Sequence, residues 1–262
     1  MSQNCLSRTE GAGVVVARAK TLTSARAPAA RQEVVFVGSS RTTGKAQPLA
    51  GVLRRMPAIR GCRNRSLDEA RPGAIVLLVA VEICTLAFRL DELTKANIVA
   101  TALFGDGAAA CVLRAGEAGL AAVEMSGQHT WPDTLDIMGW NVDPQGFGVI
   151  FDRAIPPFAE EHIAPALAGL LSRAELSLAD IDRFACHPGG SKVIAALERA
   201  LSLEQGVLDH ERNVLAEYGN MSAPTALFVL ERLIGAGLPP RTLLTAMGPG
   251  FTSSCVSLKR AA

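Results

Sequence analysis

Two residues in this 262-residue chain are best placed to do chemistry: a histidine before Pro-Gly-Gly and an asparagine within Gly-Asn-Met-Ser. In "ACHPGGSKVI", residues 185–194, His187 ends a short apolar strand and Gly189-Gly190 lead into a helix. Ligands of α/β sheets gather at the carboxyl ends of strands. Glycines there let a substrate approach the backbone, and a helix N-terminus favours an anion or a developing oxyanion. A histidine that merely caps a strand would sit in the same place, so position alone leaves both readings open. Cys186 is the neighbour, but successive strand side chains point to opposite faces, which puts its thiol in the core. In "EYGNMSAP", residues 217–224, Asn220 precedes a helix with Ser222 and Pro224 in its first turn. By itself that reads as an N-cap.

Other chemistries find little support. "FGDGAAACV" matches Gly-x-Gly-x-x-Ala on paper, but a dinucleotide fingerprint needs a strand before it and a helix after it. Here the order is reversed, so Gly105-Asp106-Gly107 reads as a structural turn whose glycines supply unusual dihedrals. The four histidines and six cysteines lack metal-ligand spacing, so no metal is expected. Basic and acidic residues balance, 26 against 25, and aromatics make up 5%, which argues against a nucleic-acid partner. The longest apolar run, residues 74–88, is too short to span a bilayer and contains Glu82. A buried parallel strand is the better reading of it. With no signal-peptide core near the start and no Cys-x-x-Cys, the expected compartment is the cytoplasm with reduced thiols.

The elements that must position His187 and Asn220 follow from the hydrophobic pattern. Residues 1–31 are rich in Ala and Arg, without a clear period, and are expected to lack fixed structure, although an organelle transit peptide shares that composition. From Glu33 the pattern is globular. "EVVFVG" and "GAIVLLVAVEIC" read as strands, and "ELTKANIVATALF" as a helix with Leu93, Ile98, Ala102 and Leu103 on its apolar face. "AAACVLR" and "LAAVEMSG" read as strands, and "PPFAEEHIAPALAGLLSRA" as an amphipathic helix. "RFACH" is a short strand, "GSKVIAALERAL" and "APTALFVLERLI" are helices, and "TLLTAMG" and "SSCVSLK" are closing strands. Alternating strands and helices imply an α/β fold around a largely buried sheet. A 49% hydrophobic composition is ample for its core.

Several segments, in order, resemble the type III polyketide synthases, the chalcone synthase-like members of the thiolase superfamily. "HPGGSKVIAALERAL", "VLAEYGNMSAPTALFVLERL" and "AMGPGFTSSCVSL" resemble the C-terminal half of that family. "VEICTLAFR" and "LFGDGAAACVL" resemble segments upstream, and "TWPDTLDIMGWNVDPQGFGVIF" its bacterial members. The resemblance is specific over residues 73–262 and thinner over 32–62. It implies a thiolase-like layered α-β-α-β-α fold, with residues 32–114 as a shortened N-terminal half and 115–262 as a complete C-terminal half. It also implies a homodimer.

The family uses a Cys-His-Asn triad, so the resemblance assigns His187 and Asn220 to catalysis. The nucleophile should follow a glycine upstream of "VLLVAVE", and Gly61-Cys62 fits. Cys84 is the rival, but it falls in an apolar strand and reads as inert packing. By the same resemblance Phe88 matches an aromatic guarding the active-site entrance. Val149 falls where many plant members carry a second aromatic, which suggests room for a long acyl starter. Gly189, Gly190 and Lys192 are assigned to substrate binding. Gly248, Pro249 and Gly250 match the loop lining the cyclisation cavity.

The chain departs from the family around the cysteine. Little precedes Cys62 to hold CoA phosphates, and "RNRSLDEARPG" leaves only a short polar helix after it. The implied reaction is decarboxylative Claisen condensation of malonyl-CoA onto a long-chain acyl-CoA starter, to an alkylpyrone or alkylresorcinol type product. No cofactor is implied beyond the CoA thioesters that serve as substrates. The alternatives are a β-ketoacyl synthase III-type condensing enzyme and a catalytically impaired remnant of the family.

Overall fold

A computed structural model describes residues 12–17, as backbone, together with 75–89, 91–115 and 119–261. Cys62 and the strand expected at "EVVFVG" lie outside the described residues. A seven-stranded sheet runs in the order β2-β3-β1-β4-β9-β8-β7. Its strands are β1 (Ala12–Ala17), β2 (Ile75–Glu82), β3 (Gly107–Ala115), β4 (Ala121–Thr130), β7 (Arg183–Cys186), β8 (Arg241–Gly248) and β9 (Thr252–Arg260). A separate hairpin joins β5 (Met138–Asp143) to β6 (Gly146–Phe151). The helices are α1 (Lys95–Leu103), α2 (Ile155–Leu171), α3 (Ser191–Ala200), α4 (Asp209–Tyr218) and α5 (Ala223–Gly235).

One core cluster lies on each face of the sheet. On one face α5 presents Ala226, Val229, Leu230 and Leu233 to Leu78, Cys111, Leu244 and Val256. On the other, Ile163 and Leu167 of α2 and Ile194 and Leu197 of α3 pack on Met125, Phe184, Leu243 and Phe251. The result is a sheet between two helix layers. In α5 every residue from Pro224 to Leu230 is buried, so this helix is covered around its whole circumference. Such a helix is a core element rather than a surface one. Two buried glutamates fix α4. Glu198 of α3 accepts two 2.6 Å bonds from Arg212 and the N–H groups of Gly206 and Leu208, and these hold its pKa down at about 2. Glu211 of α4 accepts from Arg183 at 2.8 Å and from the Cys186 N–H at 2.9 Å.

Several expectations need correction. Ala12–Ala17, inside the stretch expected to lack fixed structure, forms β1 and pairs antiparallel with β3 and β4. Its "GVVV" core is rich in β-branched residues, which suit a strand, and the Ala/Arg flanks masked that signal. The 74–88 run is not a parallel strand: β2 pairs antiparallel with β3 and stops at Glu82. The chain then turns through a 3-10 segment, Cys84–Ala87, so Cys84 leaves the strand. Among the described strands only β7 and β8 pair in parallel. In α1 the buried residues are Asn97 and Ala100, while Ile98 faces out, so the apolar face read from the sequence is not the packed one.

Candidate active site

His187 follows β7, and its backbone N–H extends the ladder to the Thr245 carbonyl at 2.8 Å. Glu211 grips the preceding N–H, that of Cys186, and so ties the end of β7 to α4. Burial pushes the Glu211 carboxyl up, against the pull of Arg183. Gly189 lies beside the imidazole: a Cβ built there would stand 3.8 Å from its Cδ2 and 3.9 Å from its Nε2. The Gly189 N–H folds back to the His187 carbonyl at 3.0 Å. Loss of water pushes the His187 pKa down to about 4, so its ring is neutral at pH 7.

Asn220 sits in the loop between α4 and α5. Its backbone is clamped to the end of α1, accepting from Gly105 N–H at 3.0 Å and donating to the Leu103 carbonyl at 2.8 Å. Gly219 makes this possible, with φ 73° and a would-be Cβ only 2.8 Å from the Leu103 oxygen. The side chain is oriented as well. Its Oδ1 accepts the Ser222 N–H at 2.9 Å, and its Nδ2 donates to the Gly189 carbonyl at 3.3 Å. An amide nitrogen has two hydrogens, so Gly189 engages only one of them. The N-cap of α5 is Ser222, so Asn220 is not the simple cap that its sequence position suggests. Ser222 itself has φ 57° and ψ −128°, a sparsely populated region that clusters at functional sites.

His187, Gly189 and Asn220 line one cavity. Its apolar wall comes from the β5–β6 hairpin, through Met138, Trp140, Val149 and Phe151, with Ile155 of α2 beside them. The strand ends supply Glu82, Ala246, Gly248 and Pro249. Burial raises the Glu82 carboxyl above the usual range.

Other candidates lie elsewhere. Gly190 is the N-cap of α3 and packs near Leu103, and Lys192 is exposed on the first turn. Gly250 makes the β8–β9 turn with φ 115°. Phe88 follows the 3-10 segment and is not among the lining residues. The aromatics at the cavity are Trp140 and Phe151 of the hairpin and Phe104, which is set edge-on to Phe151 with ring centroids 6.3 Å apart. Phe104 and Glu82 were missed. The available signals were an aromatic just before a Gly-Asp-Gly turn and a lone carboxylate closing an apolar strand.

The four described cysteines are buried and free of disulfides. Burial pushes each thiol up, Cys111 to about 11 and Cys255 to about 12. Cys84 comes nearest the site, its Sγ lying 3.5 Å from Ser222 Oγ, and burial outweighs that bond in raising its pKa. Among the described residues no cluster of three or more His, Cys, Asp or Glu could hold a metal ion. No helix there is long and apolar enough to cross a membrane.

Comparison with known proteins gives this geometry a setting. The C-terminal domain of chalcone and stilbene synthases matches residues 122–260, and the N-terminal domain matches 56–117. A 1,3,6,8-tetrahydroxynaphthalene synthase of Streptomyces peucetius subsp. caesius is 41% identical over 196 residues, covering 72% of this chain and 52% of the relative. A putative chalcone synthase of Bacillus subtilis (strain 168) is 38% identical, covering 71% and 54%. The crystal structure of 1,3,6,8-tetrahydroxynaphthalene synthase from Streptomyces coelicolor A3(2), a bacterial type III polyketide synthase, superposes with a TM-score of 0.68 at 31% identity. That match covers 74% of this chain and 56% of the crystallised one. The chain thus spans about half the length of the relatives it matches. The two domain matches and the shared thiolase-like fold assign it, as a member, to the chalcone and stilbene synthase family, the type III polyketide synthases.

Proposed function

We propose that the chain acts as a type III polyketide synthase, an acyltransferase that condenses an acyl-CoA starter with malonyl-CoA. The observation that carries this reading is the convergence of a neutral His187 and an oriented Asn220 amide on one apolar cavity. In this mechanism the Cys62 thiolate attacks the starter thioester and CoA thiolate leaves. Malonyl-CoA then loses CO2. The ring N–H of His187 and the free amide hydrogen of Asn220 donate to the thioester oxygen and stabilise the enolate. The enolate carbon attacks the acyl group on Cys62, forming a carbon–carbon bond and releasing the thiolate. Support for Cys62 is the family resemblance, which sets the nucleophile after a glycine upstream of β2, where Gly61-Cys62 stands. The four described thiols are held up by burial, which suits packing better than nucleophilic attack.

The starter in this reading is a long-chain acyl group, and the product an alkylpyrone or alkylresorcinol. Val149 supports it, because it lines the cavity with a smaller side chain than a phenyl ring. Each buried CH2 of a starter is worth about 0.8 kcal/mol. Val149→Phe should therefore shift preference toward shorter starters, read as relative rates across an acyl-CoA series. Equal use of acetyl-CoA and long-chain acyl-CoA by the unmodified chain would count against the long pocket. Homodimerisation and a cytoplasmic location belong to the same proposal.

Intact-mass measurement after incubation with acyl-CoA, followed by peptide mapping of the adduct, tests the central step, with the adduct expected on Cys62. An adduct on Cys84 would overturn the assignment. His187→Ala and Asn220→Ala should each slow CO2 release from malonyl-CoA about a hundredfold or more, the usual effect of losing an oxyanion donor. Normal CO2 release by Asn220→Ala would reduce that residue to a loop anchor.

A further inference from the structure

The β5–β6 hairpin forms most of one cavity wall, yet it stands outside the seven-stranded sheet. A wall built on a free-standing hairpin needs something to set its position. At the base, Phe151 meets Phe104, and β6 rests on α1 and the Cys84–Ala87 turn. The tip is held differently. Asp143, the last residue of β5, takes both of its carboxylate oxygens to Arg89 Nη1, at 3.1 and 2.9 Å. The same carboxylate caps the hairpin turn, accepting the N–H groups of Gln145 at 2.9 Å and Gly146 at 3.1 Å.

Arg89 belongs to another part of the chain. It follows the Cys84–Ala87 turn, whose Cys84 touches Ser222 beside Asn220. Its side chain is only 8% exposed. Its Nε and Nη2 form a two-pronged contact with Asp91, at 2.8 and 2.7 Å, while Nη1 reaches Asp143. Glu92 stands 3.9 Å away. The planar guanidinium fork can hold two carboxylates in fixed directions, which a lysine ammonium cannot. One cation thus offsets three acids. Without it, Asp91 and Asp143 would face each other with like charge, which would drive the tip outward.

We propose that Arg89 is a positioning residue that latches the hairpin over the cavity and thereby sets which acyl chain lengths the pocket accepts. The latch rests on geometry alone, and its role in acyl selection rests on the polyketide synthase reading. Arg89 does not touch the reacting atoms. It acts through Asp143 on the wall formed by Met138, Trp140, Val149 and Phe151.

The test uses the full chain with Trp131→Phe, which leaves Trp140 as the one tryptophan of the two in the sequence. Arg89→Lys, Arg89→Met and Asp143→Asn are compared by Trp140 emission, amide exchange along residues 138–151, and binding of hexanoyl-CoA and palmitoyl-CoA. Arg89→Met should speed exchange of the hairpin amides about tenfold or more while those of α2 stay protected. The ratio of the two dissociation constants should collapse toward one. Arg89→Lys keeps the charge but loses the fork, so it should recover only part of both effects. Unchanged hairpin exchange in Arg89→Met would overturn the latch. So would exchange that rises equally in α2, which would mean general loss of stability. Faster hairpin exchange in a protein that binds neither acyl-CoA, even unmodified, would support the latch and overturn its part in acyl selection.

Discussion

In the proposed reaction a neutral His187 donates a hydrogen bond without bringing a charge into an apolar cavity, and burial favours that neutral form. Its pKa falls from 6.5 to about 4 because burial disfavours the imidazolium. In the unfolded chain the ring takes up a proton below about pH 6.5. The folded chain does so only near pH 4. Between those values the unfolded state binds more protons, so stability is lost as pH falls and the effect vanishes above pH 6.5. Glu82 in the same cavity works the other way, since its raised pKa lets the folded state hold a proton longer. The comparison must therefore be with a variant. From pH 7 to pH 5 the unmodified chain should lose about 2 kcal/mol that His187→Gln keeps, read from urea unfolding. Equal losses in both would remove burial of the neutral ring from the account. At this scale the sequence was informative where a chemistry-bearing residue sat among glycines, as His187 and Asn220 do. It was uninformative for Phe104 and Glu82, whose types look like ordinary turn and strand residues until the fold brings them to the cavity.

The Gly105-Asp106-Gly107 turn shows how an element can be read correctly for the wrong reason. The break between α1 and β3 is where the sequence placed it, with Gly107 opening β3, but neither glycine has a positive φ. Close approach explains them. A Cβ on Gly105 would stand 2.5 Å from the Tyr218 carbonyl oxygen, and one on Gly107 would stand 2.4 Å from Met221 Sδ and 2.9 Å from its Cβ. Met221 follows Asn220, so this packing presses the Asn220 loop against the start of β3. Gly107→Ala must displace Met221, and because the clash reaches Met221 Cβ, rotating the side-chain end cannot relieve it. Overpacking of that kind typically costs about 1–3 kcal/mol. The variant should unfold at lower urea, and its Asn220 amide should show altered exchange. A chain with unchanged stability would mean that the loop yields freely. The elements missed from the sequence share a physical cause. In "MGWNVDPQGFGVIF" glycines interrupt the alternation, so the hairpin has no clear period of two. In "DHERNVLAEY" the buried residues of α4 are Glu211 and Val214, and a buried glutamate leaves no apolar stripe to detect.

Across the whole molecule, the helix layers on both sheet faces were legible because α2, α3 and α5 carry strong apolar faces. The surface next to the cavity was not. Leu86 is 72% exposed, and Val81 and Ile83 beside it are exposed as well. Nearby, Leu93, just before α1, is 76% exposed and Ile98 on α1 is 56% exposed. The two segments are joined through Asp106, which accepts from the Thr85 backbone at 2.9 Å and from its hydroxyl at 2.8 Å. Single exposed apolar residues are ordinary, but several on adjoining segments favour association in water. The apolar periodicity of α1 was real in the sequence, yet it marks this outer face rather than the packed one. The chain should therefore self-associate in a concentration-dependent way, measured by sedimentation velocity. Leu86→Glu combined with Ile98→Lys should suppress that association. Because both side chains are largely solvent-exposed, each change should alter folding stability by no more than about 0.5 kcal/mol. Circular dichroism and the urea midpoint should accordingly stay close to those of the unmodified chain. A chain that stays monomeric at high concentration, or a double variant that associates as strongly as the parent, would show that this face is not what brings copies together.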